Sequence, residues 1–133
     1  MRRLASILTL CTIAACHADN IYQPTAPQSF MGMWELSTIN GKPLPATLPS
    51  NPYLPIAEEK LWFFDDGGVQ RERLLLGATA TLPAEHGIAR NYFEGIGLVF
   101  DNSNSPPFAN LVDAKLNVIR GGDSLVYVRP TAN

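Results

Sequence analysis

From Phe30 onward, apolar and polar residues alternate over short runs that turn signals interrupt. Trp34, Leu36 and Thr38 alternate with Glu35 and Ser37, the period-two pattern of a half-buried strand. Asn40-Gly41 then offers the two φ > 0 positions of a tight hairpin turn. Leu61-Trp62-Phe63-Phe64 predicts a densely apolar strand and Asp65-Asp66-Gly67-Gly68 a turn. Val69 to Leu76 is the returning strand, with Arg71 and Arg73 complicating its apolar face, and Gly77 ends it. Further strands are expected over Ala78 to Leu82, stopped by Pro83, and over Ala89 to Phe93 and Ile96 to Phe100. Ala114 to Ile119 and Leu125 to Arg129 form the last pair, turned by Gly121-Gly122-Asp123.

The remaining stretches read as connections. Pro43, Pro45, Pro49, Pro52 and Pro55 crowd the segment from Lys42 to Ile56. Proline cannot donate a ladder hydrogen bond, so this segment is expected to be a loop or a frayed edge. Its overlapping Pro-x-x-Pro spacing around Tyr53 also suits a polyproline ligand, although a stiff loop explains it more simply. Glu85-His86-Gly87 and Asp101 to Pro107 read as loops. Helical periodicity is absent, with room for one short helical turn in Leu82 to Ala89 or Phe108 to Asp113. About seven or eight short strands with regular turns predict an all-β antiparallel barrel or sandwich.

The N-terminus follows different rules. Arg2 and Arg3 precede an apolar run from Leu4 to Ala15, and small residues Ala14-Ala15 precede Cys16. This is the layout of a secretory signal over residues 1–15. The apolar run is about 12 residues against the roughly 20 a spanning helix needs, which argues against a permanent transmembrane segment. Residues 16–29, polar and containing Pro24 and Pro27, read as a flexible tether ahead of one domain at 30–133. A domain of about 100 residues can build an ordinary hydrophobic core. It would need one, because Cys11 and Cys16 are the chain's two cysteines and neither falls within it. Without Arg2 and Arg3, 8 basic residues face 12 acidic ones, a net charge of −4. No basic block exists, so a nucleic-acid surface is not expected.

Candidate chemistry is sparse. His17 and His86 lie far apart, a poor ligand set for a metal. Asp101-x-Ser103-x-Ser105 has some calcium-loop spacing, but Pro106 stands where glycine is needed and no bidentate glutamate follows. No Gly-x-Ser-x-Gly elbow occurs, and adjacent Glu85-His86 cannot orient each other. Glu58-Glu59 is assigned to a loop and Asp65-Asp66 to a hairpin tip, so neither forms a facing carboxylate pair. The expectation is therefore no enzyme, no cofactor and no metal. Aromatics on predicted strands, above all Trp62, Phe64, Tyr92 and Phe100, are the candidate lining of a ligand pocket.

Two resemblances sharpen this. Ile13-Ala14-Ala15-Cys16 resembles the lipobox of bacterial lipoproteins. That resemblance implies cleavage before Cys16, diacylglycerol on its sulfur and durable anchoring by more than one acyl chain. His17, where an aspartate in that family signals inner-membrane retention, implies the outer membrane, facing the periplasm. Gly32-x-Trp34-x-Leu36, Ile39-Asn40-Gly41-x-Pro43-Leu44-Pro45, the Leu61–Gly67 hairpin and Leu125-Val126-Tyr127-Val128-Arg129 resemble small bacterial lipocalin-like and META-type domains. The resemblance implies an up-and-down barrel of about eight strands and carries over no catalytic residue. In such a barrel Trp34 would plug one end, with Arg129 stacked on it as a structural cation–π pair. The expected function is non-catalytic binding of a small apolar ligand or an envelope partner protein. The alternative is a structural or inhibitory interaction module with a solid core, presenting the Pro43–Pro55 and Asp101–Ala109 loops.

Overall fold

The computed structural model describes residues 26–92, 95–100 and 106–132. The signal peptide, Cys16, His17, Phe93 and Asp101 to Ser105 lie outside the described residues. Among the described residues, ten strands form one antiparallel sheet: β1 (Gly32–Ile39), β2 (Lys42–Pro43), β3 (Ala46–Leu48), β4 (Asn51–Phe63), β5 (Gly68–Leu75), β6 (Glu85–Tyr92), β7 (Gly95–Phe100), β8 (Phe108–Val112), β9 (Lys115–Arg120) and β10 (Asp123–Val128). From β4 to β10 each strand pairs with the next. β1 pairs with β10 on one side, through Glu35↔Val128 and Ile39↔Leu125, and with β4 on the other, through Gly32↔Phe63 to Glu35↔Lys60. Those pairings close eight strands, β1 and β4 to β10, into an up-and-down barrel. β2 and β3 lie outside the ring, in the connection from β1 to β4.

Alternation decides what faces inward. Trp34, Leu61, Val69, Leu98, Leu116 and Leu125 are each no more than 2 % exposed and belong to one continuous core. Small residues make room where rings cross the interior. A Cβ on Gly87 would overlap the Val99 carbonyl oxygen and lie 2.9 Å from the Phe100 ring, so only glycine fits beneath that ring. The turns follow their residues. Asn40 and Gly41 both have positive φ (51° and 77°) between paired Ile39 and Lys42, which is the two-residue primed turn their sequence predicts. The Asn40 side chain also ties this turn to β10, accepting from Ser124 N at 2.8 Å and donating to Asp123 Oδ1 at 3.1 Å.

Several expected boundaries move. Ala26 is buried and Gln28–Phe30 forms a 3-10 turn against the barrel, so the end of the expected tether is folded. β4 begins at Asn51 and includes Pro52 and Pro55, where a loop or a frayed edge was expected. Its first residues are mostly exposed and bordered by the short β3, an edge position that tolerates proline. Glu58 and Glu59 therefore stand on a strand, with their side chains on opposite faces. No strand forms over Ala78 to Leu82; Leu82 N instead donates to Arg73 O at 2.8 Å within the β5–β6 connection. Glu85-His86-Gly87 opens β6, paired with Arg71, Gln70 and Val69. The two stretches with room for helix are occupied by β6 and β8.

Candidate functional site

The barrel's two ends differ. At one end, the Trp34 indole N–H donates to Phe30 O at 2.8 Å, and Phe30 packs edge-on against Phe63 at 5.7 Å between centroids. The Arg129 guanidinium lies 3.8 Å over the Trp34 ring and donates to Met33 O (3.1 Å) and Ser29 O (3.0 Å). Desolvation lowers its proton affinity. The Trp34 N–H and both terminal nitrogens of Arg129 are thus engaged by backbone carbonyls at this end.

The other end is charged inside. Glu85 opens β6, Phe100 ends β7 and Arg120 ends β9, so the up-and-down order brings all three to this end. Glu59 projects from β4 into the interior and its side chain is fully buried. It accepts from Tyr127 Oη at 2.5 Å and from Arg73 Nε at 2.5 Å. Arg71, also buried, donates to Glu85 through Nε at 2.6 Å, and its Nη2 contacts the same carboxylate oxygen. Its guanidinium sits 4.5 Å over the Phe100 ring. Burial first, then the Glu59 carboxylate, pushes the Tyr127 phenol well above the usual tyrosine range, so it stays neutral and donates. Arg120 feels this cluster too: desolvation, then repulsion from Arg71 and Arg73, lowers its affinity for a proton.

Three guanidinium groups gather here with the carboxylates Glu59 and Glu85. Asp123, buried and in register with Arg120 across the β9–β10 hairpin, adds a third carboxylate at this end, engaged by the neutral Asn40 amide. Arg120 Nη1 is buried with no hydrogen-bond partner. Arg73 Nη2 is ion-paired with Glu59 Oε2 at 2.5 Å, the same oxygen that accepts from Arg73 Nε. Beside this cluster is a concavity of about 230 Å³ lined by Arg71, Arg73, Leu82, Pro83 and Glu85.

The four aromatics expected to line a pocket are not brought together. Leu61 and Phe63 point inward, so Trp62 between them takes the outer face. Phe64 is largely exposed beyond the end of β4. Tyr92 is on the outside, its ring covering Gly97 and meeting Phe108 at 6.1 Å. Phe100 alone faces the interior, beneath Arg71. The residues that do converge were not singled out as a site. Strand parity carries the signal, because Glu59 shares a face with Leu61 and Phe63, Arg71 and Arg73 with Val69, and Arg120 with Leu116 and Val118. His86 is exposed on β6, and no metal-ligand set gathers among the described residues. Comparison with protein-family models, curated proteins and solved structures returns no match.

Proposed function

We propose that this chain is a lipid-anchored, non-catalytic binding protein of the bacterial cell envelope, tethered through Cys16 and binding at the charged end of its barrel. The observation that carries the binding half is the asymmetry of the interior. At one end the Trp34 N–H and the Arg129 guanidinium are engaged by neighbours, whereas the other buries Arg120 Nη1 without a hydrogen-bond partner in the cluster that includes Arg71 and Arg73, which line a concavity. Uncompensated buried donors cost stability, and a bound molecule that accepts from them offsets that cost. The anchoring half rests on the Ile13-Ala14-Ala15-Cys16 sequence behind a short apolar run.

Two measurements test this. Cells fed an alkyne-bearing palmitate should label the wild-type chain and not Cys16→Ser, with only the former sedimenting with outer membrane. Equal labelling of both refutes the anchor. Purified protein should take up anilinonaphthalene sulfonate saturably, one molecule per chain; unsaturable or absent uptake counts against a binding site. One feature favours the interaction-module reading instead. Tyr53, 88 % exposed, and Leu54 stand on the β4 segment that projects beyond the ring, next to exposed Leu76. A photo-crosslinker at Tyr53 yielding one discrete adduct in intact cells, with no probe uptake, selects that reading.

A further inference from the structure

We propose that the outer face of β6 to β9 is the side on which the anchored barrel rests against the bilayer surface. The inference rests on the anchoring through Cys16 proposed above and adds a second, non-covalent contact with the same membrane. Register assembles the face. Ile88 pairs with Val99, and Gly97, on the same side of β7, pairs with Phe108, which pairs in turn with Ile119. Side chains opposite or one diagonal step apart in a sheet meet, so these residues form an apolar band across four strands. The Tyr92 ring lies over Gly97 and meets Phe108. Ile88, Tyr92, Val112 and Ile119 are each 43–50 % exposed, so the band is open to a partner. Charge selects that partner. Among the described residues, the outward strand positions here carry Arg90 and Lys115 and no carboxylate, with Asp113 in the β8–β9 turn at the edge. Glu35, Glu58 and Glu72 stand instead on the outer sides of β1, β4 and β5. An apolar band flanked by cations and a phenol matches the headgroup region of a bilayer that contains anionic lipid.

Position selects it as well. The described residues begin at Ala26, and Pro27, Ser29 and Phe30 line a concavity of about 410 Å³ together with Tyr92, Ile96 and Leu111. The chain that leads back to Cys16 therefore joins the barrel at the rim of this face. Cys16 lies 10 positions before Ala26, a reach of at most about 35 Å. The eight-residue β6 is itself roughly 27 Å long. Lipid on Cys16 thus holds the face within about one strand length of the membrane. That makes the second contact intramolecular, so a patch too weak to capture vesicles from solution suffices. Tyr53 and Leu54, also exposed, stand at the start of β4, the end of the barrel away from the Gly32↔Phe63 pair and the tether.

The test is hydroxyl-radical footprinting of protein purified from cells expressing the full chain and reconstituted in vesicles of phosphatidylethanolamine and phosphatidylglycerol. Tyr92 and Phe108 should be oxidised about threefold more slowly than in vesicle-free Cys16→Ser protein, with Tyr53 equally reactive in both. Ile88→Ser combined with Ile119→Ser should restore most of the Tyr92 reactivity while acylation and flotation with the vesicles stay unchanged. Arg90→Glu combined with Lys115→Glu, which alters only exposed charges, should do the same by repulsion from phosphatidylglycerol. Acylated, vesicle-bound protein whose Tyr92 and Phe108 react as fast as in the free protein overturns the proposal and leaves the anchor in place. Protection of Tyr53 in place of Tyr92 overturns it too. So does Cys16→Ser protein that dimerises without vesicles and protects Tyr92 on doing so, which marks a contact between copies. Wild type that carries no acyl chain and does not float refutes the anchor. In that case the Cys11→Ala chain, coupled through Cys16 to a maleimide phospholipid, decides the face by itself: Tyr92 protection upholds it and unchanged reactivity overturns it.

Discussion

Glu59→Gln isolates what one negative charge does inside this barrel. The substitution keeps size and shape but removes the charge that faces Arg73, and it places a donor amide against Tyr127 Oη or Arg73 Nε. That end loses one negative charge, and Arg73 loses its ion-pair partner. Breaking a buried pair from one side costs about 3–5 kcal/mol, because the partner left behind stays desolvated. Domains of this size have only about 5–15 kcal/mol in total, so the variant should melt roughly 15–25 °C lower. Urea titration followed by the fluorescence of Trp34 and Trp62 measures the loss. The triple variant Glu59→Leu, Arg73→Met, Tyr127→Phe replaces Glu59 and both its partners with apolar groups and should regain most of the loss. A Glu59→Gln protein within about 1 kcal/mol of wild type refutes the reasoning, as does a triple variant no better than the single one.

Other outcomes follow from the same geometry. Tyr127 has a folded-state proton affinity raised above its unfolded value, so its contribution is complete below the ordinary tyrosine range and is lost as pH rises. Above about pH 10 stability should fall more steeply in wild type than in Tyr127→Phe, by up to about 1.4 kcal/mol per pH unit, in urea titrations at successive pH values. Arg129→Ala removes the cation over Trp34 and should cost about 1 kcal/mol, or roughly 5 °C in melting temperature, with a change in Trp emission. Gly87→Ala should cost about 1–3 kcal/mol by overpacking against the Val99 carbonyl oxygen, read from the urea midpoint. Ala114, held at φ 59°, should gain about 0.5–1 kcal/mol on replacement by glycine, measured the same way.

The meander and its turns were legible because local chemistry decides them. Asn40-Gly41 and Gly67-Gly68 place chain reversals, and alternation from Trp34 to Thr38 or Leu125 to Tyr127 defines faces without reference to distant residues. The first part of β4 was legible only in part, since Pro52 and Pro55 exclude a central strand and leave a loop or a frayed edge, and the tertiary arrangement decides for the edge. The same holds for Glu85 to Gly87, whose loop-like composition is overruled by pairing with Val69 to Arg71. The charged cluster shows the limit most clearly. Parity places Glu59, Arg71 and Arg73 on the inner face, but burying charge is so costly that composition alone argues for the outer one. What makes the inner face tolerable for Glu59 is Tyr127, a partner 68 positions away, brought near only when the ring closes.

Ring closure also bears on biogenesis. β1 is made well before β10, one of the strands it pairs with. A nascent chain therefore carries a half-matched strand until β10 emerges, and a product stopping short of Asp123 would display two bare sheet margins able to recruit a second molecule. Removing β10 should thus produce aggregates before it produces a looser monomer.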